Sequence, residues 1–223
     1  MTPIPQPDDS ERAFLLDCVG AERLEPFLAL CAKYGEYLYE TNESLNLTAI
    51  PPESFWSKHI CDCALALKAL PDLFADGFRV ADVGCGAGLP AFPLAAACPG
   101  LDVTAIDSRG KKIAFLEQAA SLCGLSNLHP VHARANELAA QARYRNAFRT
   151  ITARAVAASA ELVKECRNLL APGGSLCVFR TESQADEEWP ALSGSPRIRA
   201  VRTAQFELPG GAGTRLFLQI GKS

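Results

Sequence analysis

The 223-residue chain predicts a three-layer α/β domain with a mostly parallel sheet, preceded by a small helical unit. Three observations carry that reading. From Phe78 onward, β-compatible runs alternate with helical periods; a glycine-rich loop follows the first run; and the segment before Phe78 shows only the 3.6-residue rhythm of helices. A chain of this size buries roughly 70% of its unfolded surface, enough for one core with an addition. The expected organisation is a loose tail over 1–10, a helical region over 11–75 and the α/β domain over 76–223.

The tail expectation rests on three prolines in MTPIPQPDDS. Phe27, Leu30, Cys31, Tyr34 and Leu38 then mark one helix face, NESLNLTAI turns the chain, and ESFWSKHICDCALALKAL supplies a second apolar helix ending near Pro71. RVADV reads as a strand, GCGAGLP as the loop and LAAA as the start of a helix. VTAI is the next strand, and Ile113, Leu116, Ala120 and Cys123 mark a helix over 111–123. LHPVHA, FRTITA, SLCVFR and RLFLQI are further strands, with an amphipathic stretch over 157–170 between the second and third. Residues 183–196 read as a polar, proline-bearing connection, and the closing segments as an antiparallel edge hairpin.

Composition narrows the function classes. With 48% hydrophobic residues and a formal charge of -3, the chain is neither disordered nor a general polybasic binder. The charge is uneven: residues 1–78 hold 5 basic and 13 acidic side chains, and residues 79–223 hold 17 and 12. The later part is therefore available to a polyanion. The 9 cysteines lack the paired spacing of a zinc site and form no even disulfide set, so free buried thiols and no metal are expected. Without a secretory segment or an apolar run near 20 residues, a soluble, cytoplasmic, monomeric protein is the economical expectation.

Gly84, Gly86 and Gly88 let the backbone turn sharply and approach a ligand closely. The loop has no GKS or GKT, and Leu89 takes the last glycine position of a GxGxxG alignment, which disfavours a pyrophosphate. Asp107, 23 residues beyond Gly84, suits either a ribose diol or, with Ser108, a helix cap. Asn136 and Glu137 suit either a cofactor's base or capping, and Asp82 either the loop or a positive group.

NLTAI at 46–50, HICDC at 59–63, DVGCGAGLP at 82–90, DSRGKKIAFL at 107–116 and TARAVA at 152–157 form an ordered series. Over roughly residues 25–222, it resembles the bacterial small-subunit ribosomal RNA guanine-N7 methyltransferases, the glucose-inhibited division protein B family. The resemblance implies a class I S-adenosylmethionine (AdoMet)-dependent methyltransferase fold, Rossmann-like with an antiparallel edge, acting on a guanine of 16S ribosomal RNA or the small ribosomal subunit. It implies cofactor contacts from Asp82, Gly84, Cys85, Gly86, Gly88, Leu89, Pro90, Asp107, Arg134, Ala135, Asn136 and Glu137. Arg154 and Arg180 are the implied catalytic residues, with Asn46, Thr48, His59, Asp62, Lys111 and Lys112 toward substrate. His59 with Asp62 also suits a packed histidine with a carboxylate partner, and the two lysines also suit an exposed helix face. Ala91 stands where the family has glycine, Arg180 and Thr181 where it has lysine-glycine, and Cys85 where it often has serine.

That chemistry needs no strong base, because guanine N7 carries an accessible lone pair, and alignment does the work. Arg154 and Arg180 would grip phosphate or the guanine O6 edge and leave N7 open. Arg134, Arg143, Arg145, Arg149 and Arg154 are expected along one edge, with Arg197, Arg199 and Arg202 as a second basic segment. The competing expectations are an AdoMet-dependent enzyme acting on a small metabolite and a noncatalytic RNA or assembly protein.

Overall fold

The computed structural model describes residues 4–155 and 158–222. The end of the TARAVA motif and the first residue of the expected amphipathic stretch, at 156–157, lie outside these residues, as do residues 1–3 of the expected tail. Two helices open the chain, α1 (Asp9–Val19) and α2 (Ala21–Leu45). A 3₁₀ turn (Pro52–Ser54) and a π-helical turn (Trp56–Cys61) lead into α3 (Asp62–Ala69). The alternating part follows as β1 (Arg79–Val83), α4 (Ala91–Ala97), β2 (Asp102–Asp107), α5 (Gly110–Cys123), β3 (Leu128–His132), α6 (Ala135–Leu138), β4 (Phe148–Ala153) and α7 (Ser159–Cys166). It closes with β5 (Leu170–Arg180), α8 (Glu182–Ser193), β6 (Ile198–Arg202), β7 (Phe206–Glu207) and β8 (Thr214–Lys222).

The sheet runs β3-β2-β1-β4-β5-β8-β6, with β7 paired to β8 off that path. Strands β1 to β5 pair in parallel, while β8 is antiparallel to β5, β6 and β7. The order reverses between β1 and β4, where an α/β sheet opens a crevice at its carboxyl edge. Register aligns Asp82 with Thr152, so Gly84 and Arg154 leave adjacent strands at that edge.

Two apolar cores flank the sheet, giving three layers. One joins α1 to α5 with one sheet face, from Phe27 and Tyr34 through Phe92 and Leu116 to Phe217. The other packs α6, α7 and α8 on the opposite face through Leu138, Leu162, Phe148 and Leu192. The helical unit therefore shares a core with α4 and α5 and does not form a separate body. All nine cysteines are free thiols, seven of them buried.

Three expectations are corrected. From Ile4 onward the expected loose tail is packed: Ile4 is buried, Pro5 O accepts from Trp56 Nε1 at 2.7 Å, and Asp8 with Glu11 forms a capping box that starts α1 at Asp9. The expected polar connection over 183–196 is largely α8, capped by Thr181 with Gln184; only Ala185 and Leu192 are buried, which left a faint apolar period. The first arginine group divides between opposite edges. Arg143, Arg145 and Arg149 lie at the amino edge, where Arg149 covers the Phe78 ring, and Arg134 and Arg154 lie at the carboxyl edge.

Gly35 shows how tightly the helical unit is set. A Cβ there would meet the Phe55 ring at 2.7 Å and Ile4 at 2.8 Å. In an exposed helix Gly→Ala gains about 1 kcal/mol. Here Gly35→Ala should instead lower the denaturant midpoint, a sign that equilibrium unfolding reads directly.

Candidate active site

The glycine loop is built from below and behind. Asp82, 1% exposed, accepts from Ala91 N at 3.2 Å and Thr152 Oγ1 at 3.0 Å, bracing the loop's far end and β4. It braces the loop, one of the two roles expected of it, and is not among the residues that line the cleft. Tyr34 stacks on Phe92 at 4.2 Å and donates to Ala87 O at 2.8 Å, tying α2 to the loop. Gly88 has φ +92° and lies so close to Leu116 that a Cβ would come within 2.4 Å of it.

Five of the loop's amides are already spent. Gly84 and Cys85 N donate to Ile106 O, Gly86 N to Asp107 Oδ2, and Gly88 and Leu89 N to Cys85 O. No anion nest remains at these positions, in accord with the sequence argument against a pyrophosphate.

Beside the loop lies a cleft of about 440 Å³ lined by Gly84, Asp107, Arg109, Arg134, Ala135 and Asn136, among others, with Ala155 at one side. Burial raises the Asp107 carboxyl, but hydrogen bonds from Arg109 and Gly86 outweigh it and hold the group below its ordinary value. Asp107 is thus an ionised acceptor at the end of β2, and its partner Arg109 is largely exposed. Glu137 follows the cleft wall; Cys85, Gly86, Gly88, Leu89 and Pro90 continue the loop beyond Gly84 without lining the cleft, with Cys85, Leu89 and Pro90 buried. The Cys85 thiol, buried, is pushed well above its ordinary value, as expected of a packed neighbour and not of a nucleophile.

A second cavity, about 450 Å³, lies on the other side of Ala155, bounded by Arg154, Phe179, Arg180, Thr181, Gln184 and Arg215. Its arginines come from three neighbouring strands. Register pairs Ala153 with Val178 and Arg180 with Leu216, so the carboxyl ends of β4 and β5 meet the amino end of antiparallel β8. Arg215 was not singled out from sequence, because one arginine before a β-like run carries no motif. Ala155, φ 53°, separates the two cavities in a left-handed conformation uncommon outside glycine.

Asp62, 1% exposed, organises this wall. It takes Arg154 Nε at 2.9 Å on Oδ2 and Arg215 bidentately, Nε at 2.6 Å on Oδ1 and Nη2 at 3.1 Å on Oδ2. Arg154 also donates to Lys58 O at 2.9 Å and to His59 Nδ1 at 3.3 Å. With Nδ1 accepting, His59 Nε2 donates to Thr48 Oγ1 at 2.9 Å. Burial and the neighbouring Arg154 push His59 down to about 3, so the ring is neutral. His59 is thus a packed histidine, but its partners are Thr48 and Arg154 and not the Asp62 carboxylate; His59 and Asp62 each act on Arg154 from behind. Asn42, overlooked in sequence, holds Leu47 N, Thr48 N and Thr48 O, shaping NLTAI, whereas Asn46 is an exposed left-handed helix end.

Arg180, 3% exposed, is paired with Glu188 at 3.1 Å and bonded to Phe179 O, and Glu188 also receives Ser159 Oγ. Lys111 is exposed on α5, and Lys112 Nζ lies 3.7 Å from where a Gly86 Cβ would stand, on the loop side. Lys112 therefore belongs with the loop.

Burial raises Asp82 to about 7, above its unfolded value near 4. A raised carboxyl value costs stability as pH climbs from about 4 to about 7. The destabilisation caused by Asp82→Asn should therefore be largest near pH 4 and shrink toward pH 8, read from urea midpoints of both proteins across that range.

The family model described as rRNA small subunit methyltransferase G matches residues 28–206. A ribosomal RNA small subunit methyltransferase G of Lactobacillus delbrueckii subsp. bulgaricus is 34% identical over 85% of this chain and 80% of its own. One from Exiguobacterium is 35% identical over 96% and 91%. Among solved structures, a SAM-dependent methyltransferase from Aquifex aeolicus superposes with TM-score 0.56 at 17% identity over 75% of this chain and 93% of its own, a likeness of fold. The motifs, the switch-point cleft and the matched span together establish that this chain belongs to the rRNA small subunit methyltransferase G family, the glucose-inhibited division protein B family.

Proposed function

We propose that the protein transfers a methyl group from AdoMet to N7 of a guanine in 16S ribosomal RNA, within the RNA or the small subunit. The observation that carries this reading is the pairing of a cofactor-sized cleft with an arginine-walled cavity across Ala155, in a chain of this family.

The cleft suits AdoMet. Its volume falls in the range of small-molecule sites, its loop spends five amides internally as befits a ligand without phosphates, and Asp107 offers a carboxylate to a ribose diol. Arg134, Ala135 and Asn136 would wall the adenine, with the glycine loop from Gly84 to Pro90 toward the methionine end. When bound, AdoMet supplies a methyl group activated by its sulfonium charge.

The protein's own task is alignment. Guanine N7 needs no deprotonation, and the groups around Arg154 are not set up for it: His59 is neutral with both nitrogens engaged, and burial pushes the Cys63 thiol up to about 12. Arg154 is the residue placed to orient the acceptor, since it stands at the mouth between the two cavities with Asp62, Lys58 and His59 fixing its guanidinium. Arg180 is a positioning residue, locked by Glu188 beneath the cavity. The helical unit, proposed to span residues 11–75, acts as a substrate-side cap because it supplies Asp62, His59 and Thr48 to that wall.

Mass analysis of small-subunit ribosomal RNA from cells lacking and then regaining the protein tests this directly. Loss and rescue of one guanine N7 methyl is expected. An unchanged guanine modification profile would refute the assignment and turn attention to a small-metabolite acceptor.

A further inference from the structure

Building on the proposed guanine-N7 transfer, we propose that the cavity of Arg154, Arg180, Arg215, Thr181 and Gln184 is a phosphate subsite for the acceptor nucleotide. Charge is the first argument. Three guanidiniums border the cavity, while the carboxylates paired with them among the described residues are two, Asp62 shared by Arg154 and Arg215, and Glu188 beneath Arg180. One positive charge is left over at the wall. Arg154 and Arg215 keep 15% and 19% of their side chains accessible, so the pair that shares one carboxylate is also the pair that reaches the cavity.

Geometry is the second argument. Asp62 grips Arg215 through Nε and Nη2, which leaves Arg215 Nη1 without an acceptor among the described residues, whereas Arg154 is held on all three nitrogens, Nε by Asp62, Nη1 by Cys63 Sγ at 3.3 Å and Nη2 by Lys58 O and His59 Nδ1, so its plane is fixed at the wall. The twelve-residue helix α8 begins at the same wall, with its cap residue Thr181 and its third residue Gln184 among the lining. A helix start adds partial positive charge to the arginines. A phosphate fits this set of donors and a neutral base does not require it. With the phosphate seated beyond Ala155, the base of the same nucleotide is directed toward the cleft.

Gln184 gives a test that spares the fold. Its side chain receives Thr181 N at 3.0 Å in a capping box, a role glutamate fills equally well. Gln184→Glu therefore keeps α8 while placing a negative charge in the cavity. Calorimetric binding of guanosine 5′-monophosphate, guanosine and inorganic phosphate to the full chain at low salt separates the possibilities. Wild type should bind the monophosphate about tenfold or more tightly than guanosine, and Gln184→Glu should erase that preference at an unchanged unfolding midpoint. Arg215→Gln should reduce it too.

Equal binding of the monophosphate and guanosine by wild type, no binding of either, or a preference that survives Gln184→Glu would overturn the phosphate subsite. The methyl-transfer assay on ribosomal RNA is read separately. A phosphate preference of the expected kind in a protein that leaves guanine N7 unmethylated would keep the subsite and discard the transfer reading. Methylation without the preference would do the reverse.

Discussion

The arrangement depends on one buried carboxylate. Asp62 lies at the start of α3, in the helical unit, yet its partners are Arg154 at the end of β4 and Arg215 at the start of β8. Two arginines on a shared carboxylate fix each other's planes, and the cost of burying these charges is met by their mutual attraction and by the added bonds of Arg154 to Lys58 and His59. Removing one member of such a group typically costs about 3–5 kcal/mol because a charge is left buried alone. The same contact joins the first third of the chain to the carboxyl edge of the parallel strands.

The neighbouring features follow from holding Arg154 still. His59 stays neutral because a cation faces its Nδ1 in a dry environment, and a neutral ring leaves Arg154 unopposed. Thr48 fixes the ring's other nitrogen, and Asn42 fixes the loop carrying Thr48. Around the neighbouring cleft Tyr34 and Asp82 serve the glycine loop in the same supporting way. Residues that the motifs mark as a site thus divide into those lining the cavities and those that position the lining.

Much of this was legible in the sequence, for physical reasons that can be named. RVADV, the alternate glycines and the small residues after them describe strand, tight turn and close helix packing, and each forms there. Asp107 was found because a carboxylate at the end of the second strand meets the crevice in this topology. Arg215 was not, since its importance comes from an antiparallel strand that returns it beside Arg180, and pairing over that distance leaves no local pattern. Helix α8 was hidden by its exposed polar face and Pro190. The first arginine group looked contiguous because sequence neighbours on a strand are easily mistaken for neighbours on a surface, whereas the length of β4 separates Arg149 from Arg154.

If Asp62 sets acceptor geometry and leaves the cofactor cleft alone, Asp62→Asn must separate the two functions. Direct AdoMet binding and kcat/KM for ribosomal RNA, measured on the same preparation, make the sharpest test. The account predicts AdoMet affinity within about threefold of wild type and kcat/KM lower by about a hundredfold or more, equivalent to about 2.7 kcal/mol of lost transition-state alignment. An unchanged kcat/KM, or a loss of AdoMet affinity that accounts for the whole defect, would contradict it.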